Sequence, residues 1–263
     1  MELLILTAQH ADGSILKAVF DPARGMNLDS FSKGSIEYVH HKQGSLIGPH
    51  LDNRPKHLHK PHENDPFPNG IARAAAWKAE IKNSKILAVL DSKEPWENST
   101  VGAQEGQNFK MYFQASLTPH SLSCEISIVS DTDSLVGTDI HLNLPPGNAN
   151  ITTQVASHCI QNDKIIPAKD IFHLGTENTL SIPLDNNAIH YAFTPFNPLT
   201  AHIDLNTSEY SLRFKYHCPS QENCWRLIKA KDDPFIRIQP LSSQDPRFPN
   251  LTVSSLFIDL EPL

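Results

Sequence analysis

Proline punctuates this chain from end to end. The 263 residues hold 20 prolines against 11 glycines, and the prolines lie between short apolar runs instead of clustering in one linker. Proline removes a ladder donor and fixes φ, so it breaks long helices and is excluded from the interior of central strands. What fits between such breaks is a succession of short strands joined by turns. About fifteen segments read that way. Glu2–Thr7 and Ser14–Phe20 flank a His-Ala-Asp-Gly turn and read as a hairpin, as do Phe109–Thr118 and Ser121–Ser130 around Pro119-His120. Thr138–Leu144, Ile151–Val155 and Thr179–Ile182 are further strand candidates. Alternation is clear in SLSCEISIVS, where Leu122, Cys124, Ile126 and Ile128 share a face, and in SLRFKYH, where Leu212, Phe214 and Tyr216 do. Helix propensity is confined to the Ala-rich IARAAAWKAE stretch. The pattern predicts an all-β fold, a large β-sandwich or barrel, in one domain spanning residues 1–263.

Charge and composition narrow the function classes. The formal net charge is −7 without any Lys/Arg block, which argues against nucleic acid or an anionic membrane as partner. No apolar run approaches membrane-spanning length, and the N-terminus lacks a basic n-region, so the expected compartment is the cytoplasm. Cys124, Cys159, Cys218 and Cys224 match no zinc spacing and fit reduced thiols there; Cys218 and Cys224 are the one pair near enough in sequence to consider for a bridge.

The irregular stretch Gly44–Asn69 carries His50, His57, His59 and His62 and little periodicity. A connection this long is commonly functional or disordered; its Pro and aromatic neighbours favour an ordered segment lining a site. His57 and His59 share a face of an extended backbone, so with His50 or His62 they form a potential metal set; the ordinary alternative is solvent-exposed histidines.

The segment Gly137–Pro145, GTDIHLNLP, places Asp139, His141 and Asn143 on one strand face. Such a polar face suits a sugar pocket better than a core. The plainer readings are a solvated sheet edge for Asp139 and a partly buried strand histidine for His141. GTDIHLNLP also resembles the G-x-H-P-Y-F-x-L-P signature of the galactose mutarotase (aldose 1-epimerase) superfamily. PFPNGIARAAAWKAE is similar to that family's H-G-[FI]-A-R-x-x-x-W motif, and PFIRIQPLSSQDPRFPN to its late [FV]-x-x-[IV]-E-P-x-[ST] strand. SILKAVFDPARGMNLDSFSKGSIEYV resembles its opening hairpins, and the patches keep the family's order.

The resemblance implies a large antiparallel β-sandwich with a sugar site on one concave sheet, and makes the Trp77–Asn83 segment a strand. It implies proton transfer by a His–Glu pair that opens and recloses a sugar ring, a reaction that needs no cofactor. Here the family's acid falls on Asp139, its Tyr on His141, its Glu on Gln239 and the binding His on Asn69, while Arg73 is retained. Asp185 falls where the family has an acidic sugar ligand. A carboxyl can replace the acid if burial raises its pKa, but a carboxamide cannot replace the base. The expected catalytic residues are therefore Asp139 and His141. Arg73, Asn69, Asp185, Gln239 and His50 are expected to bind substrate, with one of the Gly44–Asn69 histidines as a candidate replacement base. The expected function is a 1-epimerase acting on a hexose or hexose phosphate, with a sugar-binding protein devoid of catalysis as the alternative.

Overall fold

A computed structural model describes residues 2–40, 49–52, 70–131, 134–161, 164–185, 187–218, 224–241 and 253–263. Among these, β1 (Leu4–Gln9), β2 (Ile15–Asp21), β3 (Asn27–Lys33) and β4 (Ile36–Glu37) form an antiparallel meander. The main sheet starts with β5 (Pro49–Asp52), β6 (Lys78–Lys82) and β7 (Lys85–Asp91). A separate small hairpin, β8 (Pro95–Trp96) and β9 (Ser99–Thr100), leads into the short helix α1 (Val101–Glu105), capped by the Thr100 side chain. The main sheet continues with β10 (Phe109–Leu117), β11 (Leu122–Ser130), β12 (Leu135–Thr138), β13 (Ile140–Asn143), β14 (Asn150–Gln161), β15 (Lys164–Pro167) and β16 (Thr179–Pro183). It is completed by β17 (Ile189–Pro195), β18 (His202–Asn206), β19 (Ser211–His217), β20 (Cys224–Lys229), β21 (Phe235–Leu241) and β22 (Val253–Pro262). The strand order is β5-β12-β21-β20-β17-β14-β18-β19-β22-β11-β10-β7-β6, with β13 beside β21 and both β15 and β16 beside β14.

Strand β14 turns this sheet into two layers. Its first half pairs with β16 and β18, its second half with β15 and β17, and its register against β17 shifts between Val155 and Cys159. A strand that changes partners at a bulge is how a sheet bends a corner. Side chains from the meander (Phe20, Leu28), from β10, β11 and β22 (Phe113, Ile126, Ile258) and from the β12–β13 line (Ile140) meet around one small void. The largest fully buried side chains include Trp77, Trp225, Tyr38, Tyr216, Phe20 and Phe214. Fully burying one large apolar side chain contributes about 1.5–3 kcal/mol, so this shared core is what holds the layers together.

The alternation read from sequence is realised. Leu212, Phe214 and Tyr216 are buried, while Arg213 and Lys215 reach across the outer face to Asp204 and Glu261. The Ala-rich stretch supplies only a single 3-10 turn, Ile71–Arg73, before β6, as the family resemblance implied. Two expectations are corrected. The single strand Thr138–Leu144 is split at Asp139, and Ile151–Val155 belongs to the first half of a 12-residue strand. Cys218 and Cys224 are buried thiols, not a disulfide. Among the described residues no helix is long and apolar enough to cross a membrane.

Candidate functional site

Strands β12 and β13 form one line interrupted at Asp139. Gly137 pairs with Leu241 and Ile140 with Ile238 in the same register, so Asp139 faces Gln239 of β21, which in turn pairs with Arg226 of β20. Ile140 and Leu142 enter the core, which turns Asp139, His141 and Asn143 to the other face. Arg237 pairs with His141, and Phe235 with Asn143. The same face therefore carries Asp139, His141, Arg237, Gln239 and Arg226.

Arg73 reaches this face from the Ile71–Arg73 turn, which three hydrogen bonds pin. The Ile71 N–H donates to Glu105 Oε2 at 2.9 Å, Trp77 Nε1 donates to the Ala72 carbonyl at 2.9 Å, and the Gly25 N–H donates to the Ala75 carbonyl at 2.9 Å. Gly25 has φ +64°, and a Cβ there would lie 2.1 Å from the Arg73 carbonyl oxygen. Glycine is required both by the left-handed backbone and by this close approach.

The charges converge on Asp139, which is wholly buried. Arg237 grips it with two prongs: Nε donates to Oδ1 at 3.2 Å and Nη2 donates to Oδ2. Arg73 Nη2 lies 3.8 Å from Oδ2, and His141 Nε2 lies 3.3 Å from Oδ1. Burial by itself would raise the Asp139 pKa, but the adjacent His141 and the two-pronged contact with the charged Arg237 hold it well below the usual carboxylate range. The sequence reading of Asp139 as an acid required burial to prevail. The burial is present, and the surrounding cations overturn its effect. Burial likewise lowers the Arg73 pKa, against the attraction of Asp139.

His141 is held flat. Its ring stacks on Phe235 with centroids 5.2 Å apart and planes 3° apart. His40 also stacks on Phe235, at 4.7 Å, while its Nδ1 lies 2.9 Å from Asn143 Oδ1 and its N–H donates to the His141 carbonyl. Asn143 Nδ2 donates to the carbonyls of Glu37 and Val39, so this residue staples β13 to the meander. Both His141 ring nitrogens are buried, and neither makes an in-line hydrogen bond to protein; the approach to Asp139 is an ion-pair contact. Buried polar atoms are normally satisfied, so an imidazole left this way has capacity for a ligand.

No protein-family model matches the chain, and no curated protein matches it. Solved structures do. A candidate aldose 1-epimerase from Escherichia coli K12 superposes with a TM-score of 0.70 at 12% identity, covering 100% of this chain and 99% of that one. A galactose mutarotase-like protein from Lactobacillus casei gives 0.67 at 12% identity, covering 99% and 100%. A galactose mutarotase related enzyme from Lactobacillus acidophilus gives 0.66 at 13%, covering 99% and 97%. The chain has the galactose mutarotase-like fold. Within this mutarotase-like frame Arg73, Asp139, His141 and Gln239, all expected from sequence, come together. Gln239 is buried opposite Asp139, and its carboxamide makes no hydrogen bond among the described residues. Asp185 does not join them. It is exposed in the turn after β16, bound to the main chain and side chain of Asn187, beside a separate cavity of about 350 Å³ that Asn148, Asn150 and Asn206 also line.

His50 lies on β5 with its main chain opposite Gly137, one strand from Asp139's line. Asn69, His57, His59 and His62 lie outside the described residues. Among the described residues no group of three His, Cys, Asp or Glu side chains is placed to hold a metal. Arg237, Phe235 and His40 escaped the sequence reading. The signal for the first two was present: 235, 237 and 239 share a strand face by their spacing of two.

Proposed function

We propose that this mutarotase-like protein is an aldose 1-epimerase that acts on a hexose or hexose phosphate in the cytoplasm, without a cofactor, and that His141 moves the proton. The observation that carries this reading is the His141 imidazole, buried beside an ionised Asp139 with both nitrogens lacking an in-line protein partner. With its proton on Nε2, beside the carboxylate, the neutral imidazole carries its lone pair on Nδ1. His141 takes the proton of the anomeric hydroxyl as the bond between C1 and the ring oxygen breaks. The bonding pair passes to the ring oxygen, to which the imidazolium returns the proton. Rotation about C1–C2 and reversal of these steps close the ring on the opposite face. One imidazole can serve both oxygens in turn because both are bonded to C1. Arg73 and Gln239 hold hydroxyl groups of the sugar.

The rate at which freshly dissolved glucose, galactose and glucose 6-phosphate reach anomeric equilibrium tests this by polarimetry. The expected result is a rate above the spontaneous one for at least one sugar. A specific observation favours the second reading, a sugar-binding protein without catalysis: the base position holds a carboxamide and the acid position an ionised carboxylate. Saturable sugar binding together with spontaneous rates throughout would select it.

A further inference from the structure

Arg237 occupies a position that the epimerase reading leaves without a role. Its guanidinium spends two donors on one buried carboxylate, yet the side chain is 31% exposed while Asp139 is 0% exposed. It is the cross-strand neighbour of His141, so one arginine spans the histidine's flank and the carboxylate that faces it. Asp139 Oδ1 is shared, accepting Arg237 Nε at 3.2 Å and lying 3.3 Å from His141 Nε2. Asp139 sits at the break between β12 and β13, outside both strands as their ladders are drawn. A carboxylate on such a break has rotamers that would turn it away from the histidine. The planar, two-pronged contact restricts it to one that keeps Oδ1 3.3 Å from Nε2.

We infer that Arg237 is a positioning residue of the site: it locks Asp139 in the orientation that keeps the His141 proton on Nε2 and leaves Nδ1 unprotonated. Arg73 cannot take over this duty. Its Nη2 lies 3.8 Å from Oδ2, beyond hydrogen-bond distance, and its turn is anchored from the Gly25 side of the molecule. His40 stacks on Phe235 and is engaged with Asn143 through Nδ1. Phe235 fixes the plane of the ring but carries no charge to choose between its two nitrogens. The choice of tautomer therefore falls to Asp139, and the direction of Asp139 to Arg237.

This inference rests on the epimerase reading for its catalytic meaning, but its geometric content is tested separately. Nitrogen NMR of protein labelled with ¹⁵N-histidine reports which His141 nitrogen carries the proton, whether or not the protein is an enzyme. In the native protein His141 is expected as the Nε2–H form alone. Arg237→Gln is expected to introduce a measurable Nδ1–H population and to lower kcat about 10–100-fold, the range for loss of a residue that orients an active group, with KM little changed. Arg237→Lys keeps the charge but not the fork, so intermediate values are expected for both readouts. A folded Arg237→Gln protein with the native tautomer and native kcat overturns the inference. If Arg237→Gln does not fold, wild-type behaviour of Arg237→Lys in both measurements overturns it equally. Spontaneous mutarotation rates combined with the expected tautomer change would remove the epimerase reading and leave the clamp standing.

Discussion

At the scale of single residues the site is an ion cluster built around a buried anion. Asp139 is stabilised as a carboxylate by the neighbouring His141, Arg237 and Arg73, and the two guanidinium groups depend on it in turn. Removing one partner of a buried pair costs about 3–5 kcal/mol because the other charge stays buried. Asp139→Asn is therefore expected to lower stability by that order near neutral pH, read from urea unfolding. The pH dependence has a definite sign. A carboxylate whose folded pKa lies below its unfolded value contributes its full stability above the unfolded value, about 3.9, and loses it as pH falls toward the folded one. The difference between wild type and Asp139→Asn should therefore shrink below about pH 4, and a constant difference down to pH 2 would contradict the assignment. Gln239→Glu places a carboxylate where the resemblance puts the family's base, directly across from Asp139. It should raise any mutarotation rate about tenfold or more, the lower part of the range for general bases. An unchanged rate would show that proton transfer at this position is not limiting.

At the scale of elements, the turn that carries Arg73 depends on a glycine in another hairpin. Gly25→Ala drives a methyl group into the Arg73 main chain and strains a left-handed backbone. The expected outcome is a loss of about 2–4 kcal/mol with weakened sugar binding, since the strain is relieved by shifting Arg73. Native affinity in a folded Gly25→Ala protein would show that Arg73 is not bound to this geometry. Elements also show what the sequence can and cannot express. In β11 and β19 one face is core and the other solvent, so alternation reveals them. Strand β14 was legible only at its start because it changes sheets near residue 155, after which Ala156–Gln161 mixes polar and apolar positions without a steady period. The break at Asp139 was invisible because a polar residue on an alternating strand looks the same whether it solvates an edge or anchors an ion cluster. Arg237 carried a periodic signal, but an arginine two residues before a pocket residue on an exposed-to-buried strand face has the same pattern as a solvated one.

At the scale of the whole molecule, the fold supplies the site by joining distant parts. Arg73 comes from the turn before β6, Asp139 and His141 from the β12–β13 line, Arg237 and Gln239 from β21, and His40 from the end of the meander. None of these pairings is local, so the site exists only when both layers and the meander are assembled. Trp225, fully buried and stacked on Phe193 at 4.7 Å, packs in the same core as Ile140 and Leu142, which flank His141 along its strand. Trp225→Ala should cost about 3–5 kcal/mol, seen as a lowered thermal midpoint. The most direct test of the account is anomer exchange followed by NMR for glucose, galactose and glucose 6-phosphate, with wild type and His141→Asn compared at equal concentration. The account predicts catalysed exchange of at least one sugar by wild type and a fall of about 100-fold or more in the variant, the contribution of a positioned proton-transfer group. Wild-type exchange at the spontaneous rate for all three, or a catalysed rate that His141→Asn leaves intact, would contradict it.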